Sequence, residues 1–499
     1  MRERRLPPDT PLAIPPEQFR RLGHELVDQI ADFLGSLPER RVVPAQGPED
    51  LRALLGGDAP LPEQGEEPGA LLGETARLLF DHSSFNGHPR FFGYITASPA
   101  PIGMLGDLLA AALNPNCGAW ILSPLASEIE AQTVRWIAEL IGYPRACGGV
   151  LVSGGNMANF TAFLAARVAA ASVKIREGGL AAVETALVVY ASAETHTWIQ
   201  KAADLFGLGT RAIRWIPTDQ ELRMDVGALR GAIADDLGAG RRPLMVVGTA
   251  GSVSTGAVDP LHAIADVCRA QGIWFHVDGA YGGFAAAVRG AAPELDGLAR
   301  ADSVAVDPHK WLYAPLEAGC VLVRDPAALR AAFAYHPPYY HFGVEATNYV
   351  DYGPQNSRGF RALKVWLALR QVGRQGYVRM IGDDLALARR LRERVAAHPE
   401  LEPLTHALSI TTFRYVPPDL RPQIGEAAAE AHLNRLNQTL LDRLQKEGEA
   451  FVSNAVVRGR YALRACIVNF NTTVSDVDAL PEIVARTGRR IETELRPKG

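Results

Sequence analysis

The stretch Val306-Asp307-Pro308-His309-Lys310-Trp311 decides the fold, together with the earlier run Ile273-Trp274-Phe275-His276-Val277-Asp278. Each begins as a short apolar strand, and each places one reactive side chain where that strand ends. Strands alternate with helical segments from about residue 90 to 375, which predicts an α/β domain around a mostly parallel sheet. In such a sheet the acid Asp278 and the amine Lys310 lie at the same edge.

This pairing of residue types predicts a particular cofactor. Apolar neighbours such as Trp311 and Leu312 desolvate the Lys310 amine, which can then attack an aldehyde and hold it as a Schiff base. The buried carboxylate of Asp278 can pair with a protonated pyridine nitrogen. Together they predict pyridoxal 5'-phosphate. Taken singly, such a lysine is more often a solvated surface charge, and an acid before Gly279 is more often a turn residue.

Two further segments carry groups that such a cofactor needs. The apolar strand 150–152 is followed by Ser153-Gly154-Gly155-Asn156 and a helical run, so free backbone N–H groups at the helix start can bind a phosphate. His196 follows the predicted strand 186–190, where its ring can stack on a pyridine. The competing structural interpretations are a simple tight turn for the segment 153–156 and an ordinary capping or core histidine for His196.

This ordered set of motifs resembles the group II pyridoxal-phosphate-dependent decarboxylases, the family of aromatic-L-amino-acid and glutamate decarboxylases, from about Pro15 to about Leu391. The resemblance implies the fold type I of pyridoxal-phosphate-dependent transferases, which is aspartate aminotransferase-like. That fold has a seven-stranded, mostly parallel sheet in a large domain and a small α+β C-terminal domain. We expect an N-terminal helical segment at 1–89, the large cofactor-binding domain at 90–375 and the small domain at 376–499.

The resemblance also implies a role for each matched residue. Lys310 bonds covalently to the cofactor, Asp278 pairs with its ring nitrogen, and Ala280 and His196 lie on opposite faces of its ring. The phosphate-binding residues that it implies are Gly154, Gly155 and Asn156, with His309 beside them. Asp307 stands where the animal aromatic enzymes usually carry Asn. A carboxylate there repels a phosphate unless it is protonated, turned away or bridged.

The loop Phe333–Gly343 is predicted to supply the catalytic acid. By the resemblance, Tyr339 matches the tyrosine that protonates the carbanion once carbon dioxide has left. Aldehyde-forming relatives typically carry Phe there, so Tyr339 predicts decarboxylation to an amine. Tyr335 and Tyr340 also remain candidates for this position, and the competing structural interpretation is an aromatic cluster that merely packs.

The substrate is less sharply indicated than the cofactor. Tyr94, Thr96 and Trp120 are predicted to line the substrate pocket, and they favour an aromatic L-amino acid such as tryptophan, tyrosine, phenylalanine or DOPA. A glutamate- or diaminobutyrate-like substrate would need a dedicated cation, for which Arg90 is the nearby candidate. An aldehyde synthase or carbon–carbon lyase on the same fold is a competing hypothesis, and so is a catalytically silent paralogue.

Composition agrees with a large enzyme. The chain has 499 residues, of which 47% are hydrophobic, and its net charge of −4 gives no reason to expect nucleic acid or an anionic membrane as partner. Five scattered cysteines with no metal-ligand spacing predict reduced thiols, no metal and a cytoplasmic location. An amphipathic helix opening at Pro15-Pro16 is expected to pack on a partner subunit, in a homodimer whose active sites lie at the interface.

Overall fold

The computed structural model describes residues 10–171, 174–336 and 346–495. Tyr339 and Tyr340 therefore lie outside the described residues. The helices of the described ranges are α1 (Pro16–Ser36), α2 (Pro48–Leu54), α3 (Pro68–His82), α4 (Pro101–Leu113), α5 (Pro124–Leu140), α6 (Gly155–Ala171), α7 (Lys174–Gly178), α8 (Trp198–Leu205), α9 (Val226–Gly238), α10 (Leu261–Gln271), α11 (Pro308–Trp311), α12 (Pro326–Phe333), α13 (Ala362–Ala397), α14 (Ala427–Glu447) and α15 (Val474–Leu495). The strands are β1 (Gly148–Val152), β2 (Leu187–Ser192), β3 (Ile213–Ile216), β4 (Arg242–Thr249), β5 (Trp274–Asp278), β6 (Ser303–Val306), β7 (Gly319–Val323), β8 (Leu401–Ala407), β9 (Ile410–Tyr415), β10 (Ser453–Val457) and β11 (Arg460–Cys466).

Seven strands form the central sheet in the order β1-β7-β6-β5-β4-β2-β3. The pairs from β6 to β3 are all parallel, whereas β7 runs antiparallel to both of its neighbours, β1 and β6. The predicted seven-stranded, mostly parallel sheet is confirmed. Because β5 and β6 are adjacent and parallel, their carboxyl ends bring Asp278 and the Lys310 segment together.

Helices cover both faces of this sheet, as its largely buried strands require. Along β6, Val304 and Val306 point into one core with residues of α10, whereas Ala305 points into another with residues of α6. Helix α6 begins directly after β1 and crosses β4, β6 and β7. Its first turn therefore lies at the same edge of the sheet as Asp278 and Lys310.

The C-terminal part carries a second, antiparallel sheet in the order β10-β11-β9-β8. In this part of the chain the runs 407–412 and 462–469 have the sequence pattern of strands and 427–447 that of a helix, and they match β9, β11 and α14. The sequence pattern missed β8, where Pro403 and a register shift break the alternation, and β10, a short edge strand. The domain limits remain a prediction. The structural feature nearest to the predicted limit at 375/376 is the break in α13 at Gly373, whose φ is +66°.

The N-terminal segment contains the predicted amphipathic helix as α1. Leu22 of its apolar stripe is buried, while Phe19 is 63% exposed. The Pro-, Gly- and Glu-rich stretch 56–69 is typical of a linker, and α3 begins near its end, at Pro68. In residues 10–171, 174–336 and 346–495, no helix combines the length and the apolar character needed to cross a membrane. The same ranges contain no group of three or more His, Cys, Asp or Glu side chains placed to hold a metal ion.

Candidate active site

A cavity of about 430 Å³ opens at the carboxyl ends of β4, β5 and β6, beside the first turn of α6. Its wall brings together nearly all of the predicted site residues. Those that line it are Tyr94, Thr96, Gly154, Gly155, Asn156, His196, Asp278, Ala280, His309 and Lys310. Trp120 is not among the lining residues; its indole Nε1 donates a hydrogen bond to Glu128 Oε1 at 2.9 Å.

Lys310 enters the cavity from the short helix α11, immediately after β6. Its Nζ lies 3.0 Å from Asp307 Oδ2. The next residue, Trp311, is fully buried, stacks on the ring of Tyr281 with centroids 5.1 Å apart, and donates its Nε1–H to Asp384 Oδ2 at 2.8 Å. These contacts fix the backbone from which the lysine amine projects.

Asp278 is held by two hydrogen bonds at the end of β5. Its Oδ2 accepts from Trp198 Nε1 at 2.8 Å, and its Oδ1 accepts from the backbone N–H of Ala280 at 3.1 Å. The carboxylate is therefore oriented before any cofactor is bound, which fits its predicted role toward a ring nitrogen. Trp198 was not identified from the sequence as a site residue. The only signal was its position two residues after His196.

His276 lies on the same strand as Asp278, two residues earlier, and is buried beneath the site. Its ring is fully buried, with Nε2 2.7 Å from Asn159 Oδ1 and Nδ1 2.8 Å from Ser303 Oγ. Since the amide oxygen only accepts, Nε2 carries the proton. Ser303 Oγ accepts from Trp274 Nε1 and donates to Nδ1. This neutral ring ties α6 to β5 and β6 at the site.

Burial lowers the pKa of His276 to about 4, and we expect this to make the fold sensitive to acid. An unfolded histidine has a pKa near 6.5 and binds a proton that the folded one excludes. The neutral His276 therefore contributes fully to the free energy of unfolding above about pH 6.5. About 3 kcal/mol of this contribution is lost as the pH falls towards 4. Urea unfolding at several pH values measures this. In His276→Gln the decline over this interval should be shallower; an unchanged decline would contradict the assignment.

The phosphate side of the cavity is built from backbone. Gly154 has φ +154°, and a methyl group placed there would lie 3.2 Å from His309 Cε1. A methyl group at Gly155 would lie 3.1 Å from Ala280 Cβ. Side chains other than hydrogen would thus fill this space, and the N–H groups of the first turn of α6 stay open toward it. His309 Nδ1 accepts from the N–H of Ala318 at 3.1 Å, and burial lowers its pKa, so its ring is neutral near pH 7.

His196 and Ala280 both line the cavity. His196 is exposed to the cavity, and its Nδ1 accepts from the N–H of Trp198 at 3.3 Å. Partial burial lowers the pKa of the imidazole, although the nearby Asp278 opposes this. Ala280 is buried in the wall. A flat neutral ring and a small side chain suit the two faces of a pyridine.

Arg464, on β11, also lines the cavity and was missed in the sequence. It is 2% exposed; its Nη1 donates to Ser453 Oγ at 2.8 Å, whereas Nε and Nη2 have no hydrogen-bond partner within the described ranges. The sequence offered no signal for it, since its strand belongs to the antiparallel C-terminal sheet. Arg90, the cation considered from sequence, instead pairs with Asp476, 3.1 Å away, and does not line the cavity.

One edge of this sheet thus carries a lysine, an oriented carboxylate, an open imidazole and a backbone phosphate cradle. This combination defines a pyridoxal-phosphate-dependent enzyme. The residues present fit that cofactor. When bound, it acts as an electron sink for the bonds at the substrate's α-carbon, while the chain holds and orients it.

Comparisons with known proteins identify the family. Residues 48–416 match the model of the pyridoxal-dependent decarboxylase conserved domain. The chain is 33% identical to an aromatic-L-amino-acid decarboxylase of Bacillus atrophaeus, over 93% of this chain and 94% of the relative. It is 32% identical to a phenylacetaldehyde synthase of Petunia hybrida, over 91% and 90%. The chain belongs to the pyridoxal-dependent decarboxylase family and is a pyridoxal-phosphate-dependent amino-acid decarboxylase.

Among solved structures, tryptophan decarboxylase of Catharanthus roseus in complex with L-tryptophan superimposes with a TM-score of 0.85 at 27% identity. The match covers 97% of this chain and 100% of that one. The fold and the cofactor predicted from the sequence are thereby confirmed. The individual roles of the site residues, Tyr339 included, remain predictions.

Proposed function

We propose that the chain decarboxylates an aromatic L-amino acid to its amine and carbon dioxide. The observation that carries this proposal is a set of apolar and aromatic side chains among those that line the cavity. Tyr94 is 60% exposed there, its centroid lies 6.0 Å from that of Phe451, and Ile95 and Val253 line the same cavity. An exposed aromatic ring beside aliphatic side chains suits an aromatic substrate side chain.

Charge in the cavity supports a substrate with a single carboxylate. Among the lining residues that the structure describes, the positively charged side chains of lysine and arginine are those of Lys310 and Arg464. Lys310 is assigned to the cofactor. The two unpartnered nitrogens of Arg464 suit the α-carboxylate that every amino acid brings. An acidic amino acid would bring a second carboxylate, for which no further arginine or lysine lines this part of the cavity.

We expect Arg464→Met to raise KM about 10- to 100-fold, since a charge-assisted hydrogen bond contributes about 1.5–3 kcal/mol. Arg464→Lys keeps the charge without the planar pair of donors and should recover part of the loss. Steady-state kinetics on the preferred substrate checks this. An unchanged KM in Arg464→Met would contradict carboxylate binding by this residue.

Carbon dioxide release from a panel of amino acids tests the substrate class. Tryptophan, tyrosine, phenylalanine and DOPA form one group, and glutamate, diaminobutyrate and histidine form the other. We expect release from at least one member of the aromatic group and little from glutamate or diaminobutyrate. Release confined to members of the second group would overturn the proposal of an aromatic substrate.

Aldehyde formation is the second candidate, because the similar Petunia hybrida protein is a phenylacetaldehyde synthase. We propose the amine as product on the strength of Tyr339, the predicted proton donor to the α-carbon. Tyr339→Phe removes that proton donor and should shift the products toward aldehyde with hydrogen peroxide. Amine, aldehyde and peroxide are assayed together in both proteins. Aldehyde with peroxide as the main wild-type products would overturn the amine proposal.

A homodimer with active sites at the subunit interface completes the proposal. On α4, Leu105, Leu108, Leu109 and Leu113 are each more than half exposed, and a monomer rarely leaves such a cluster in water. We expect mixed dimers of Lys310→Ala and Tyr339→Phe to form amine that neither parent forms. Inactive mixed dimers would contradict shared sites.

The proposed location is the cytoplasm. Supporting it, all five cysteines are free thiols, and four of them are buried. Burial raises the pKa of Cys147 and of Cys466 to about 11, which keeps these two thiols protonated and unreactive. Such a set suits a reducing compartment. Fractionation of the native cells with an antibody to the chain tests this, and recovery outside the cytoplasmic fraction would contradict it.

A further inference from the structure

The turn that follows Lys310 is held by the carboxylate of Asp384, which lies on α13. Oδ2 of this carboxylate accepts a hydrogen bond from Trp311 Nε1 at 2.8 Å and another from the Tyr313 hydroxyl at 2.7 Å. The carboxylate and both donors are buried, so little water competes for these two bonds. A single side chain thus binds the chain at two points, one residue and three residues after the lysine.

Tyr313 has a backbone conformation that needs such support. Its φ is +54°, in the left-handed region that residues other than glycine rarely adopt. Such a conformation is unfavourable by itself and persists where surrounding contacts impose it. The bond to Asp384 is one of these contacts. A second bond from α13, donated by the Tyr377 hydroxyl, reaches the backbone oxygen of Leu312 at 3.2 Å. Helix α13 therefore holds the segment that carries Lys310 in a strained form.

The surroundings of Asp384 disfavour its charge. Burial raises the pKa of this carboxyl to about 7. The described titratable groups that interact with it are Asp383 beside it on α13, Tyr313, and Cys466 on β11. Burial raises the pKa of that phenol and of that thiol, so both are neutral near pH 7 and neither supplies a positive charge. Above about pH 7 Asp384 is ionised, and bonds to a charged acceptor are roughly twice as strong as bonds to a neutral one.

We propose that Asp384 is a positioning residue for Lys310: its ionised carboxylate holds Trp311 and Tyr313 and thereby fixes the direction from which the lysine amine meets the cofactor. Asp384 does not line the cavity, so it acts through the backbone of this turn and not by contact with cofactor or substrate. This role rests on Lys310 as the residue that bonds to the cofactor, but not on the identity of the substrate. It accounts for a buried acid that has no positive partner, since a purely structural acceptor could be neutral.

The rate at which the cofactor-free chain bonds to pyridoxal 5'-phosphate tests this role without any substrate. The cofactor is mixed with wild type and with Asp384→Asn at about pH 6 and about pH 8.5, and the visible absorbance of the covalently held cofactor is followed. Asparagine keeps an oxygen that accepts hydrogen bonds but carries no charge. We expect Asp384→Asn to react about tenfold more slowly at the higher pH, because small displacements of a reacting group have effects of this size. At the lower pH the wild-type acid is itself protonated, so most of the difference should disappear.

A matched pair of variants separates positioning from a loss of stability. Tyr313→Phe removes the hydroxyl bond to Asp384. Tyr190→Phe removes a similar buried bond, from its hydroxyl to Asp236 Oδ2 at 2.9 Å, and Tyr190 does not line the cavity. We expect both variants to lower the urea midpoint by similar amounts. Only Tyr313→Phe should slow the reaction with the cofactor and, in the loaded enzyme, lower kcat while KM stays unchanged.

Three results would overturn the role of Asp384. One is an Asp384→Asn protein that reacts at the wild-type rate at both pH values. Another is a loss of equal size at both pH values, which would show that packing and not charge is responsible. The third is an equal reaction rate in the two phenylalanine variants, which carry the test if Asp384→Asn does not fold. A wild type that gains no visible absorbance with pyridoxal 5'-phosphate would instead contradict the assignment of Lys310.

Discussion

Lys310→Ala is expected to reduce decarboxylation by at least about 10³-fold, the largest loss of activity that any single substitution in this chain should cause. Among the lining residues that the structure describes, this amine is the one group that can bond covalently to the cofactor aldehyde and later return to displace the product. Neither function passes to a neighbour, because Arg464 is too weak a nucleophile and His196 cannot form the same bond. Carbon dioxide release measures the effect.

Cofactor binding must be separated from catalysis in that variant. The visible absorbance of the covalently held cofactor should disappear, while weaker, non-covalent binding at the phosphate cradle persists. Lys446→Ala, an exposed lysine on α14, is the matched control and should leave both activity and absorbance unchanged. A Lys310→Ala protein with normal turnover would refute the assignment.

Arg358→Met is expected to cause the largest loss of stability, about 3–5 kcal/mol of the free energy of unfolding. Arg358 and Glu130 form a fully buried ion pair with N–O distances of 2.5 and 3.1 Å. Arg358 also donates to the backbone oxygens of Cys117 and Leu151, and Glu130 accepts from the N–H of Leu151. Removing the cation leaves an unpaired carboxylate in the core, directly behind β1. Urea unfolding measures the change.

The double variant Glu130→Leu/Arg358→Met serves as the control for that explanation. Without either charge, no buried ion is left unpaired, so the double variant should be more stable than Arg358→Met alone. A double variant less stable than either single variant would show that packing, rather than the unpaired charge, dominates. Because β1 leads into the phosphate turn, we also expect Arg358→Met to weaken cofactor binding.

Much of the fold could be predicted because its strands are short apolar runs, each followed by a turn or a helix start. Asp278, Lys310 and the turn at 154–156 all lie at strand ends, and a parallel sheet brings such ends to one edge. Trp198 and Arg464 escaped prediction for physical reasons. Trp198 acts on Asp278 through a contact 80 residues away, and Arg464 reaches the cavity from the C-terminal sheet. Neither relation leaves a local pattern in the sequence.

Substrate positions were the weakest predictions for a similar reason. Tyr94 and Thr96 line the cavity as expected, but Trp120 does not, since its side chain hydrogen-bonds to Glu128 within the same chain. Which residues surround a substrate depends on loops and on neighbouring subunits, and strand and helix periodicity does not encode that arrangement. The chemistry at Lys310 depends only on the ends of adjacent strands, so the sequence pattern was enough to predict it.

The covalent bond between cofactor and protein can be located directly. The wild-type protein, loaded with pyridoxal 5'-phosphate, is reduced with borohydride, digested and analysed by mass spectrometry. We predict that the phosphopyridoxyl group is on the peptide that contains Lys310, at that lysine, in nearly every molecule. Label on another lysine, or unlabelled Lys310 in a protein that still releases carbon dioxide, would contradict the assignment of Lys310 as the cofactor-binding lysine.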